Sequence, residues 1–318
     1  MEPTVLSVSG KSMGRLWREY AKNGNESTQG TAITEREGGK AMLEVLIDAV
    51  LDALKTLPFL FAAYLFMELL EHRRGGNPPA LLQKLGPLGG AVLGCVPQCG
   101  FSVAAANLYA ARFITPGTLL AVFLATSDEA VLILLSRPQA LPEVAKLLGV
   151  KLLAGAAVGF LADLLLRPST RPDPHPLCEE ARCGCGEGGH GAAGAALRHT
   201  LRIFLFLLGI NLFLGLAFLW AGEEALSRLL LSGSAFQPLL TGLLGFIPNC
   251  AASVLLTELY LSGALSFGSA VAGLCTGAGL GLAVLFRVNR PQKENFAFLG
   301  ALYAGAVATG FLCGWVFP

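Results

Sequence analysis

Leu93-Gly-Cys-Val-Pro-Gln-Cys-Gly-Phe-Ser-Val103 returns later in the same chain as Leu244-Gly-Phe-Ile-Pro-Asn-Cys-Ala-Ala-Ser-Val254. The register then holds: Leu108-Tyr109 matches Leu259-Tyr260, Gly117 matches Gly268 and Ala121 matches Ala272. A constant offset that keeps Pro, Cys and Ser in place divides the chain into two related halves. Each half carries a proline-broken apolar segment with a thiol beside the break. In a membrane protein, interrupted segments at corresponding places in two halves point to a substrate site between the repeats.

The rest of the chain is apolar enough for that setting. Hydrophobic residues make up 53% and charged residues 14%, and the mean hydropathy is +0.60. A helix needs about 20 mostly apolar residues to cross a bilayer core. Eight stretches qualify: 45–70, 87–111, 116–136, 143–166, 200–221, 237–262, 267–286 and 295–317. The expected fold is an all-α polytopic membrane protein, seated in a lipid bilayer. A net charge of +1 offers no basic surface for nucleic acid. Residues 1–41 are polar, with no apolar signal-peptide core, and read as a disordered extension or as sequence upstream of a start at Met42. Residues 42–166 form the first transmembrane repeat, 167–199 a Cys/His-rich loop, and 200–318 the second repeat.

Charge and duplication together set the expected topology. Lys and Arg collect at Arg73, Arg74 and Lys84; at Arg112; at Arg167, Arg171, Arg182 and Arg202; and at Arg287, Arg290 and Lys293. Positive residues favour the cytoplasmic side. All four clusters fall on one side if the two Pro-broken segments dip into the membrane and return. Each half then has three full crossings, an odd number, so the halves are expected to be inverted repeats. Arg137 and Lys146 fall on the opposite side and run against the rule.

Proline lacks an N–H and fits a helix only in its first turn. Pro97 and Pro248 are therefore expected to start half-helices, with Gly94 and Gly245 allowing the turn before them. Freed backbone groups at such a break must be buried in protein or line a wet cavity. Cys99 and Cys250 then sit near the positive end of a helix dipole, which favours thiolate, a soft metal ligand. Gln98 and Asn249 add amide oxygens, and Ser102 and Ser253 hydroxyls one turn on. The plainer alternative is a proline kink among small residues that let helices pack closely.

Thr126-Ser-Asp-Glu129 lies in the middle of Leu119–Leu135. An Asp at the centre of a membrane helix costs about 2.5–3.5 kcal/mol on an insertion scale. Asp128 and Glu129 are therefore expected to face the interior as cation ligands or proton carriers. The second half has Thr276-Gly-Ala-Gly-Leu280 there, with no carboxylate. Asn107 and Glu258 occupy matching positions further along, so Glu258 is a candidate acid from the second half. Asp163 and Asn211 read as hydrogen-bond partners within the bundle, and Cys95, Cys275 and Cys313 as small buried residues. The inter-half loop holds His175, Cys178, Cys183, Cys185 and His190, a set suited to soft metals, although C-x4-C-x-C matches no standard zinc module.

These motifs carry a family resemblance. Gly94-Cys-Val-Pro-Gln-Cys-Gly-Phe-Ser102 with Asn107-Leu-Tyr109, Gly117-Thr118 and Thr126-Ser-Asp-Glu129 resembles the ten-transmembrane heavy-metal exporters, bacterial proteins labelled arsenic efflux proteins or manganese transporters. Ile247-Pro-Asn-Cys-Ala-Ala-Ser253, Glu258-Leu-Tyr260, Phe286-Arg-Val-Asn-Arg290 and the Cys/His loop are similar to the same family. The resemblance runs from Met42 to the end and implies metal or metalloid export across the bacterial cytoplasmic membrane. Its ten elements correspond to the eight stretches if each broken segment counts as two half-helices. Carboxylates suit a hard divalent cation such as Mn2+, and paired thiols suit thiophilic ions or trivalent arsenic. No G-x-x-x-x-G-K-S/T motif occurs, so a non-enzymatic carrier using the proton gradient is expected, with no cofactor. A membrane thiol redox protein and a non-transporting metal receptor are the rival readings.

Overall fold

Close packing at glycine organises the bundle. This computed structural model describes residues 80–126, 129–137, 140–166, 192–221, 236–248 and 250–317, with helical positions at intervals between Met42 and Leu65. Residues 1–41 and the loop ligands His175, Cys178, Cys183, Cys185 and His190 lie outside the described residues. Among those described, all secondary structure is helical: α1 (Ala80–Gly94), α2 (Cys99–Ala110), α3 (Pro116–Ala125), α4 (Glu129–Leu135), α5 (Leu141–Leu166), α6 (Ala192–Ala221), α7 (Gln237–Leu244), α8 (Cys250–Leu261), α9 (Phe267–Cys275), α10 (Gly279–Val288) and α11 (Gln292–Val316).

The sequence offset reappears as matched local chemistry. Helices α2 and α8 begin and end at corresponding residues, Cys99 with Cys250 and Ala110 with Leu261. Thr115 caps α3 by accepting from Thr118 N, and Ser266 caps α9 by accepting from Ser269 N; each such cap satisfies a backbone donor that the helix itself leaves open. The turns after α2 and α8 also match. Phe113 N donates to Leu108 O, and Ala264 N to Leu259 O. Both turns need a left-handed residue, supplied by Gly263 (φ 78) in one and by Arg112 (φ 59) in the other.

Two interrupted helices, α3–α4 and α9–α10, form the centre. Of the apolar window in Pro116–Leu135, 80% is buried, and of that in Phe267–Val288, 83%; for Leu141–Leu165 the share is only 28%. Helices α5 and α11 flank this centre and turn apolar side chains outward, with Leu153, Leu164, Leu165 and Trp315 all more than 70% exposed. Such faces need lipid or another apolar cover. Among the described residues, four helices, Pro116–Leu135, Leu141–Leu165, Phe267–Val288 and Gln292–Val316, are long and apolar enough to cross a membrane, which is compatible with a multi-pass membrane protein. The other four expected stretches differ. Stretches 87–111 and 237–262 are each split at their proline, 200–221 contributes a shorter apolar run at Thr200–Leu214, and 45–70 is described only in part.

Glycine sets the approach between neighbours. A Cβ on Gly117 of α3 would lie 2.1 Å from the Gly159 carbonyl oxygen of α5, and one on Gly268 of α9 would lie 2.3 Å from that of Gly310 in α11. Contact this close between helix backbones excludes any side chain at those points. The halves interlock in turn: α2 packs on α10, and α8 packs on α4. Phe123 of α3 meets Phe298 of α11 edge-on at 5.4 Å. Inside α1, Gly86 takes φ 47 and is followed by Pro87, which kinks the helix.

Hydrogen bonds mark two ends of the bundle. At one, Tyr109 Oη and Arg112 Nη2 both donate to Glu294 Oε2, at 3.3 and 3.0 Å. At the other, Tyr260 Oη donates to Glu143 Oε2 at 2.6 Å, and Arg137 Nη2 pairs with Glu258 at 2.9 Å. Tyr109 corresponds to Tyr260, and Glu294 to Glu143, under the same offset. Each pair joins the end of a half-helix in one half to the start of a long helix in the other.

Candidate functional site

The helix breaks sit next to one another because glycine lets them. A Cβ on Gly94, the last residue of α1, would lie 2.5 Å from the Val122 carbonyl oxygen of α3; on Gly245, just after α7, it would lie 2.0 Å from that of Gly273 in α9. These two glycines were expected to permit a turn. The chain turns directly after Gly94 and at Gly245, neither takes a positive φ, and both also allow close approach to the neighbouring broken helix. Gly90 lies against Thr118, and Gly94 against Val122 and Ala125, so α1 runs beside α3 towards its break. The chain then turns, and α2 returns towards Arg112, at the Glu294 end. On the other side α7 starts at Gln237, which bonds to Ser269 and Ala264, and α8 returns to Tyr260.

The prolines stand just outside the half-helices. Gln98 is the N-cap of α2 in an extended conformation, and its N–H donates to the Val96 carbonyl at 2.7 Å, so a tight turn at Pro97 precedes the helix. Pro97 was expected in the first turn of α2 and instead lies just before it; Cys99 is the first residue of the helix. Pro248 likewise precedes α8, which begins at Cys250. Pro97 is exposed and Gln98 half-buried.

Each expected site residue has a definite standing. Ser102 is 1% exposed and Ser253 7%. A Cβ on Gly281 of α10 would touch Ser102 Cβ at 2.8 Å, which puts the Ser102 turn of α2 directly against the opposite half. Gly277 lies beside Ser253 Oγ, and Gly279 against Pro248. Asn107 is buried, and its amide donates to the Val103 carbonyl of its own helix at 2.8 Å. Glu258 is not buried: its side chain is 48% exposed and paired with Arg137. That places it at an end of the bundle, away from the breaks. Asp128 and Asn249 lie outside the described residues, as do the side chains of Cys99, Glu129 and Cys250. Among the described residues, no three His, Cys, Asp or Glu side chains gather into a metal-holding group.

The residue that sequence reasoning missed is Lys151. It sits in the middle of α5 at 0% exposure, and its Nζ donates to the backbone carbonyl of Thr126, where α3 stops. A helix leaves its last carbonyls unsatisfied and carries negative partial charge at that end, so the break supplies the environment an ammonium needs. Cys275, in α9, is also fully buried. The sequence signal was present. Lys151 is the one charge between Leu147 and Ala162 in the middle of α5, and the repeat pairs it with Leu302.

Thr276, at the break of the second half, is 0% exposed and donates to the Gly242 carbonyl at 2.8 Å. The two breaks thus differ in chemistry. One presents a carbonyl to a charge, and the other closes on itself through a hydroxyl. Asp163, read from sequence as a bundle partner, accepts from Thr115 Oγ1 and from Gly117 N, both at 2.7 Å. No protein-family model, curated protein or solved structure matches the chain.

Proposed function

We propose that this chain is a multi-pass membrane exporter that carries a heavy-metal ion, Mn2+ or a similar divalent cation, by proton-coupled secondary transport through a site between its two halves. The observation that carries the reading is the arrangement of helix breaks beside the buried Lys151, immediately before Asp128 and Glu129 in the chain. Irregular backbone at membrane depth is tolerated only inside protein or along a wet cavity. Carriers built from repeats place their substrate at such discontinuous helices.

The two halves act as inverted copies. Helices α3–α4 run from the Glu294 end to the Glu143 end, and α9–α10 run back. Helices α1–α2 and α7–α8 are re-entrant hairpins entering from opposite ends. Under this reading Arg112, Arg287, Arg290 and Lys293 share the cytoplasmic end. Arg137 and Lys146, on the other face, are offset by Glu258 and Glu143. The membrane is the bacterial cytoplasmic membrane. Asp128 and Glu129 supply hard oxygen ligands and a route for protons, and Lys151 offsets part of their charge while the site is empty.

One observation favours a second cargo. Cys99 and Cys250 are the first residues of equivalent half-helices, a placement suited to arsenite or a thiophilic cation. The test measures metal content in cells expressing wild type, Asp128→Asn or Cys99→Ser during exposure to Mn2+, Cd2+ or arsenite. Lower Mn2+ content lost only in Asp128→Asn supports the divalent-cation exporter. Loss of arsenite or Cd2+ efflux centred on Cys99→Ser supports the second cargo. No difference for any ion between wild type and empty cells overturns the exporter reading.

A further inference from the structure

The repeat lets the two ends of the bundle be compared position by position. At the Glu294 end, Phe123 of α3 meets Phe298 of α11 edge-on at 5.4 Å across the halves, and the Tyr109 ring lies 6.2 Å from that of Phe298. At the Glu143 end the equivalent positions hold Leu274 and Leu147. Two leucines fill less space than two rings, and here the halves enclose a small cavity whose lining includes Leu147, Leu274, Thr257, Glu143 and Tyr260. The cavity borders α9 as far as Leu274, two residues before Thr276 at the break. In its wall Tyr260 Oη donates to Glu143, a carboxylate that also accepts from Lys146 Nζ at 2.8 Å. Separating interlocked rings gives up dispersion contacts that leucines around a void never made. The polar contacts that join the halves at the Glu143 end, Tyr260 with Glu143 and Arg137 with Glu258, are of a kind that water can replace on release.

We propose that the bundle opens at the Glu143 end, with the Tyr260–Glu143 bond as its latch and the Phe123–Phe298 contact as the joint that stays shut. Opening moves the last turn of α8 away from the start of α5, and water enters through the cavity towards the α9–α10 break. What passes through the opening rests on the exporter reading, in which this end faces away from the cytoplasm; the opening itself does not.

The test follows alkylation by N-ethylmaleimide in the full-length chain in detergent, resolved by position with mass spectrometry, after a thiol is placed at either of two equivalent sites. Thr257→Cys lies in the cavity wall, and Ala106→Cys is its counterpart at the Glu294 end. Thr257 is 1% exposed and Ala106 0%, so labelling at either site requires an opening. Position 257 is expected to label about tenfold faster than position 106. Adding Tyr260→Phe should speed labelling at 257 by a further factor of about ten, whereas Tyr109→Phe should leave position 106 protected. Leu147→Phe combined with Leu274→Phe gives the cavity the side chains of the other end and should slow labelling at 257. Equal rates at 257 and 106 overturn the proposal, as does a Tyr260→Phe change that speeds both alike. Hydrogen exchange on wild type reads the same order without any substitution. Amides in the last turn of α8 should exchange before those in the last turn of α2, and the reverse order also overturns the proposal. In cells, the chain with both phenylalanine substitutions is expected to export more slowly. A wild type that exports no metal overturns the exporter reading, and the labelling rates still decide which end opens.

Discussion

Replacing Gly117 with alanine places one methyl group between two helix backbones that have no room for it. The added Cβ would sit 2.1 Å from the Gly159 carbonyl oxygen and 2.4 Å from Asp163 Cγ. Ordinary contact begins near 3.4 Å, so α3 and α5 must separate by about 1 Å. Overpacking of this kind costs about 1–3 kcal/mol. The separation also breaks the bond from Gly117 N–H to the Asp163 carboxylate, and a hydrogen bond to a charged group contributes about 1.5–3 kcal/mol. The expected loss is therefore about 3–5 kcal/mol, or a fall in melting temperature of roughly 6–15 °C. Thermal unfolding of the detergent-solubilised protein, followed by circular dichroism, measures it. Two controls isolate the cause. Gly149 lies on α5 with nothing within 4 Å of an added Cβ, so Gly149→Ala should be neutral or stabilise by up to about 1 kcal/mol. Gly268→Ala meets the Gly310 carbonyl oxygen at 2.3 Å, but the residue equivalent to Asp163 is Gly314. Gly268→Ala should therefore lose the packing contribution alone. If Gly117→Ala melts no lower than Gly149→Ala, the close crossing of α3 and α5 is wrong.

Arg112 holds a left-handed backbone that costs a non-glycine residue about 1–2 kcal/mol, and its guanidinium is tied to Glu294. Arg112→Gly should relieve that strain while losing the pair and melt within a few degrees of wild type, whereas Arg112→Ala keeps the strain and should melt lower. A double-mutant cycle on Arg137 and Glu258 should return a coupling of about 1 kcal/mol or less, because both side chains are close to half exposed; a coupling above about 2 kcal/mol would mean that the pair is desolvated. Tyr260→Phe removes the bond to the Glu143 carboxylate and should destabilise by about 1.5–3 kcal/mol, with Tyr109→Phe losing less because its bond to Glu294 is longer; equal losses measured by melting would contradict the geometry.

Much of the fold was legible because the repeat is a physical constraint. Matched prolines, capping residues and glycines impose the same backbone twice, and the half-helices begin at the matched cysteines. Less of the candidate site was legible. Glu258 matches Asn107 in register, and sequence could not tell that its carboxylate meets Arg137 in the open. Lys151 was overlooked because one charge in the apolar middle of a long helix does not disturb the hydropathy pattern, and comparison with Leu302 singles it out. Gly94 and Gly245 were singled out for the turns that follow, and the structure adds a second role. That role depends on the backbone of another helix, which no local pattern contains.

Composition and periodicity alone determined that the chain is helical, apolar and duplicated, since these follow from which residues can be buried and at what spacing. The duplication also fixed where each half is interrupted, because proline acts on its own neighbours. Tertiary structure alone decided which breaks meet, that α2 packs on α10 and α8 on α4 across the halves, and that the Lys151 ammonium ends at the Thr126 carbonyl. Those contacts join residues far apart in sequence. Their energies depend on distance and burial, which exist only once the chain has folded.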